Sequence, residues 1–157
     1  MEEGVEYFSD QINYHYNTNF NGRSIVGDNI YDISDISYGD SRVQHSKITE
    51  SHGTHVSGII AGIRNNSIGS NGINNNLEIM AIRAVPNGDE YDKDIALGIR
   101  YAVDNGARII NMSFGKSYST NPEWVIDAIK YAAQNNVLIV HAAGNETEDL
   151  DNICLLY

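Results

Sequence analysis

His52 stands in the string Ser51-His52-Gly53-Thr54-His55-Val56-Ser57-Gly58, ahead of small and β-branched residues that can open a buried helix. A general base for a serine nucleophile needs an imidazole held at a fixed place, and the first turn of a helix provides one. Asn145 ends a second string, Val140-His141-Ala142-Ala143-Gly144-Asn145. An amide donor just after a buried strand can be aimed at the oxygen that gains charge when a peptide carbonyl is attacked. Taken alone, a Gly-Asn pair at a strand end reads as a turn. Ser113, in Ile110-Asn111-Met112-Ser113-Phe114-Gly115, is flanked by Asn111 and Lys116, so the Gly-x-Ser-x-Gly nucleophile elbow is absent. By itself that string reads as a core strand with a glycine turn.

Metal chemistry competes for the same residues. His52 and His55 are three apart and share a helix face, but a zinc protease motif wants a glutamate after the first histidine and a spacing of four, and here Gly53 follows. Asp28, Asp32, Asp35 and Asp40 form an acidic stretch without the regular oxygen-ligand spacing or closing glutamate of a calcium loop. The expectation is therefore no metal and no other cofactor, with calcium unsupported by any motif. A nucleotide site is disfavoured because no Gly-x-Gly-x-x-Gly follows a strand.

These residues need elements to hold them. From 52 to 63, Gly53, Ser57, Gly58, Ala61 and Gly62 would let a helix lie close against a sheet. Residues 77–85 read as a buried strand ending at the turn Pro86-Asn87-Gly88. Asp92 and Asp94 place negative charge at the start of a helix with Ile95, Ile99, Ala102 and Val103 on one face and Gly106 at its end. Residues 108–114 are the next strand. Asn121 is the expected cap of a helix beginning at Pro122 and buried along Val125, Ala128, Ile129 and Ala132. The run 137–142 is a near-continuous apolar strand, the pattern of a sheet covered on both faces. Alternating helix and strand from 52 onward predicts a parallel α/β sheet with crossover helices. In the first 50 residues, only 24–28 suggests a strand and only 2–11 a helical turn or two.

With 157 residues the chain has the length of one domain. A net charge of -11 disfavours nucleic-acid backbones and anionic membranes as partners. The single cysteine, Cys154, excludes an internal disulfide. No cationic start followed by an apolar run, and no apolar segment of membrane-span length, is present in these residues. Localisation stays open.

The strings around His52, Ile79-Met80-Ala81-Ile82-Arg83-Ala84-Val85, the Ser113 segment and the Asn145 segment together resemble the subtilisin-like serine proteases, the subtilases or peptidase family S8. The resemblance implies a partial subtilisin-like fold, a parallel sheet with helices on both faces in three α/β/α layers. It implies that His52 is the general base and Asn145 the oxyanion donor. It makes Ser113, Phe114 and Gly115 one wall of the specificity pocket, pairing with an extended polypeptide substrate, and Ala143 and Gly144 the other wall. His55 is expected to pack. Residues 45–148 would be the core of the peptidase domain, 1–44 an Asn/Asp-rich insertion or linker, and 149–157 an atypical tail.

Two family elements do not occur in the sequence. The nucleophile segment Gly-Thr-Ser-Met-Ala-x-Pro is absent, and so is an aspartate followed by Ser-Gly or Thr-Gly after an apolar strand. Asp28, after Ser24-Ile25-Val26-Gly27, is the nearest counterpart, but Asn29 follows it and it sits close to His52 in sequence. The reading is a segment of a serine endopeptidase, inactive alone, whose partner would be the remainder of its own protease domain. The alternative is a degenerate module that holds extended peptides without cleaving them.

Overall fold

The computed structural model describes residues 2–44, 50–85, 90–116 and 118–145. The turn expected at 86–88, Cys154 and the tail 149–157 lie outside the described residues. The elements are α1 Glu2–Asp10, α2 Arg23–Val26, α3 His52–Ala61, α4 Asp92–Asp104, β1 Ile109–Met112, α5 Pro122–Gln134 and β2 Leu138–His141. A π-helical turn, Gln11–His15, continues α1. The chain divides into two compact units, one of Met1–Ser41 with Ile82–Tyr157 and one of Arg42–Ala81.

The first unit is built around α4 and α5. Apolar residues at helical spacing put Ile95, Ala96, Ile99 and Ala102 of α4 and Val125, Ala128 and Ala132 of α5 inside. Met112 and Val137 complete this core, and Ile110, Phe114, Trp124 and Ile139 pack against it. Helix α4 ends where expected, with Gly106 at φ +87°, a left-handed conformation that glycine adopts without a Cβ clash.

Helix α5 begins on Pro122 as the sequence implies, but Asn121 makes no side-chain cap bond. A residue of α4 supplies the acceptor instead. Asp92 Oδ2 accepts from Thr120 N at 2.9 Å, Thr120 Oγ1 at 3.1 Å and Asn121 N at 2.8 Å. The charge on the buried Asp92 carboxylate makes it a stronger acceptor for these donors than the isosteric, neutral amide of Asn121.

Strands β1 and β2 pair in parallel, with Ile110 opposite Ile139 and Met112 opposite His141, and α5 forms the connection. The structure is therefore α/β with a parallel sheet. Ile110, Met112, Ile139 and His141 face inward, whereas Ile109, Leu138 and Val140 on alternate positions are exposed.

Two expected strands are absent. Residues 24–28 hold the short helix α2, closed by Gly27 N donating to Arg23 O at 2.7 Å with Gly27 at φ +79°. Asn21 secures its start, since Oδ1 accepts from Arg23 N at 3.0 Å and the carbonyl from Ser24 Oγ at 2.7 Å. Local side-chain bonds settle the conformation where no strand neighbour competes. Residues 77–85 carry no strand either. Ala84 and Val85 do pack against the core, and bare Gly98 lets Ile82 come within 3.4 Å of its missing Cβ. The burial expected of the whole segment is not seen, since residues 77–83 are exposed and only Ala84 and Val85 reach the core; a strand also requires a hydrogen-bonding partner.

In the second unit, α3 buries none of its residues, contrary to expectation, and a Cβ on Gly53 or Gly58 would meet open space. The close approach is made at its end instead. Gly72 N donates to Gly62 O at 2.9 Å, and a Cβ on Gly72 would lie 2.3 Å from Gly62 N. Ile73 and Asn74 donate to the carbonyls of Ile59 and Ile60, folding the following loop onto the last turn of α3.

Candidate active-site segments

Ala142 N donates to Met112 O at 3.0 Å, so the β1–β2 ladder extends one residue beyond β2. Because the strands are parallel and in register, both chains leave the sheet side by side at its carboxyl end. That is where open α/β sheets hold their ligands. Ser113, Phe114 and Gly115 emerge on one side, and Ala142, Ala143, Gly144 and Asn145 on the other. Ser113 and Phe114 are half-buried, while Gly115, Ala143, Gly144 and Asn145 are exposed. Gly144, at φ +88°, supplies the reversal that sets Asn145 beyond the strand end. Asn111 Nδ2 donates to Ser113 Oγ at 2.9 Å, tying that hydroxyl to its own strand.

His52 is the first residue of α3, placed there by Ser51, whose carbonyl accepts from His55 N at 2.9 Å. Ser51 makes no side-chain cap bond. His52 and His55 are both exposed, so the packing expected of His55 is not seen. His52 belongs to the Arg42–Ala81 unit, and the two strand-end segments belong to the other. Among the described residues, no group of three or more His, Cys, Asp or Glu side chains could hold a metal ion.

Sequence reasoning missed a charged cluster on the first unit. Lys93 Nζ lies 3.2 Å from Asp28 Oδ2, 3.6 Å from Asp35 Oδ2 and 2.8 Å from Asn29 O, beneath the Tyr38 ring at 4.4 Å. Arg23 pairs with Asp94 and lies 3.6 Å from Asp28 Oδ1, with its guanidinium 4.0 Å from the Tyr91 ring centre. Tyr38 donates to Asp94 Oδ1 at 2.6 Å. Burial, reinforced by that bond, raises the Tyr38 phenol above its ordinary value. Asp28, the nearest sequence counterpart of a catalytic aspartate, is thus committed to the cations of α2 and α4. The signal was Asp92-Lys93-Asp94 itself. Read as helix-end charge, the triplet concealed a lysine with almost no solvent exposure.

The model of the subtilase family, Peptidase_S8, matches residues 1–153. The chain belongs to the subtilase family. This subtilase is 37% identical over 146 residues to the thermophilic serine proteinase of Bacillus sp. (strain AK1), covering 92% of the chain and 32% of the relative. It is 36% identical over 107 residues to thermitase of Thermoactinomyces vulgaris, covering 68% and 38%. It is 44% identical over 101 residues to the cell wall-associated protease of Bacillus subtilis (strain 168), covering 64% and 11%. The alignments thus span less than two-fifths of each relative's length. No solved structure matches significantly. Among the described residues of the subtilase, no helix is long and apolar enough to cross a membrane.

Proposed function

We propose that this chain is a segment of a subtilisin-like serine endopeptidase in which His52 is the general base and Asn145 the oxyanion donor. Ser113, Phe114 and Gly115 form one wall of the cleft that receives an extended polypeptide, and Ala143 and Gly144 form the other. The observation that carries this reading is the emergence of the two wall segments side by side from adjacent parallel strands, fixed by the 3.0 Å bond from Ala142 N to Met112 O. In that arrangement an added peptide strand can pair along 113–115 while the Asn145 amide addresses its carbonyl oxygen. Peptide-bond hydrolysis then needs a serine whose proton His52 accepts, and the family's serine motif is not in this sequence. No metal or cofactor enters the reaction.

The experiment is a fusion that joins the aspartate and serine segments of the Bacillus AK1 relative to this chain. Cleavage of an unstructured protein substrate that depends on both His52 and Asn145 supports the assignment. Activity that survives His52→Ala but disappears in His55→Ala overturns it.

A further inference from the structure

Lys116 directly follows the wall segment 113–115. Its Nζ lies 3.0 Å from Asp92 Oδ1, on the first residue of α4, with the two side chains 10% and 1% exposed. The same ammonium donates to the carbonyl oxygen of Glu90. An ion pair largely out of solvent is screened little, so it persists where an exposed pair would be loosened. Asp92 is itself held, since its other carboxylate oxygen accepts from Thr120 and Asn121. The wall is therefore tied at both ends. At one end the Met112 carbonyl accepts the Ala142 N–H of the β1–β2 ladder, and at the other Lys116 is fastened to α4. Only residues 113–115 lie between the ties, too short a stretch for the backbone to bulge far from its line.

We propose that Lys116 is a positioning residue for peptide binding: anchored to Asp92, it holds 113–115 in the line along which a substrate strand pairs. The inference rests on the cleft assigned above and names a residue that controls it. A peptide that adds as a strand gives up affinity to order whatever part of the receiving edge is loose, so an edge held beforehand binds more tightly. Lys116 acts through the wall and not by contact with the peptide, because its ammonium is turned to Asp92 and the Glu90 carbonyl.

The test uses the ¹⁵N-labelled 157-residue chain and a blocked peptide of alternating threonine and alanine, titrated while the backbone amides of Ser113, Phe114 and Gly115 are followed. Lys116→Met keeps the aliphatic stem and removes the ammonium, and it should weaken binding about tenfold. Lys116→Arg retains a cation for Asp92 and should bind within about twofold of the unmodified chain. Thr120→Ala removes a bond to the same carboxylate on its α5 side. A loss of stability alone would weaken binding there as well, whereas the tether predicts an affinity within about twofold of the unmodified chain. If Lys116→Met does not fold, Lys116→Gln, uncharged but still a donor, takes its place with the same expectation. Unchanged affinity in the uncharged variant, or losses in Lys116→Arg or Thr120→Ala equal to its own, overturn the role of Lys116 while leaving the cleft in place. If the unmodified chain does not bind the peptide, the cleft itself fails and this inference with it.

Discussion

Lys93 Nζ stands 3.2 Å from Asp28 Oδ2, with the two side chains 1% and 0% exposed. The pair joins the segment around α2 to the first turn of α4 across 65 positions of sequence. Removing Lys93 strips Asp28 and Asp35 of the cation they share and leaves the buried Asp28 with the more distant Arg23 at 3.6 Å. Lys93→Met should therefore destabilise the chain by about 3–5 kcal/mol. Asp28→Asn should also be costly, and the double variant should lose less than the sum of the two. Denaturant unfolding of all four proteins measures the coupling; strict additivity would mean the two side chains act independently.

Tyr38 ties the same cluster to Asp94, and removing its hydroxyl should cost about 1.5–3 kcal/mol, as for a hydrogen bond to a charged acceptor. The folded chain holds this phenol above its ordinary value of 10.0. A raised value in the folded state contributes stability that is complete below pH 10 and declines as the pH rises beyond it. The gap between the unmodified chain and Tyr38→Phe should accordingly be widest at neutral pH and narrow above pH 10. Unfolding midpoints at neutral and strongly alkaline pH decide this, and a gap that widens with alkalinity would contradict it.

Asp92 accepts from the backbone ahead of α5 and pairs with Lys116 Nζ at 3.0 Å. Asp92→Ala should loosen the start of α5 and the segment after β1 together, at a cost of about 3 kcal/mol or more. Hydrogen exchange at Thr120 and Asn121 should accelerate. Asn121→Ala should cost far less, because its side chain does not cap the helix in this structure.

In the fused protease the two assigned residues should fail differently. His52→Ala removes the proton acceptor and should nearly abolish acyl transfer. Asn145→Ala should lower turnover by about 10²–10³, the loss seen when such a donor is removed from a subtilisin, with little change in the Michaelis constant. A change confined to the Michaelis constant would make Asn145 a binding residue only.

Without the fusion, a serine-directed phosphonate should leave the chain unlabelled. Asn111 already engages Ser113 Oγ at 2.9 Å, and the sequence contains no nucleophile elbow around that serine. Mass spectrometry after incubation is the measurement, and stoichiometric labelling at Ser113 would reassign the nucleophile.

The family was legible in the strings around His52, Ser113 and Asn145, and α4, β1, α5 and β2 were legible from periodicity, Pro122 and Gly106. Those signals are local: a helical stripe, a proline at a helix start and a glycine at a helix end act within a few residues of chain. The tertiary structure decided matters that depend on partners distant in sequence. It turned 24–28 into a helical turn, left 77–85 without a ladder, and gave the cap of α5 to Asp92 rather than Asn121. It also buried Lys93 between Asp28 and Asp35 and set His141 under Gly115. A residue's type states which bonds it can make. Only the fold brings a partner within the few ångströms over which hydrogen bonds and desolvated charges act.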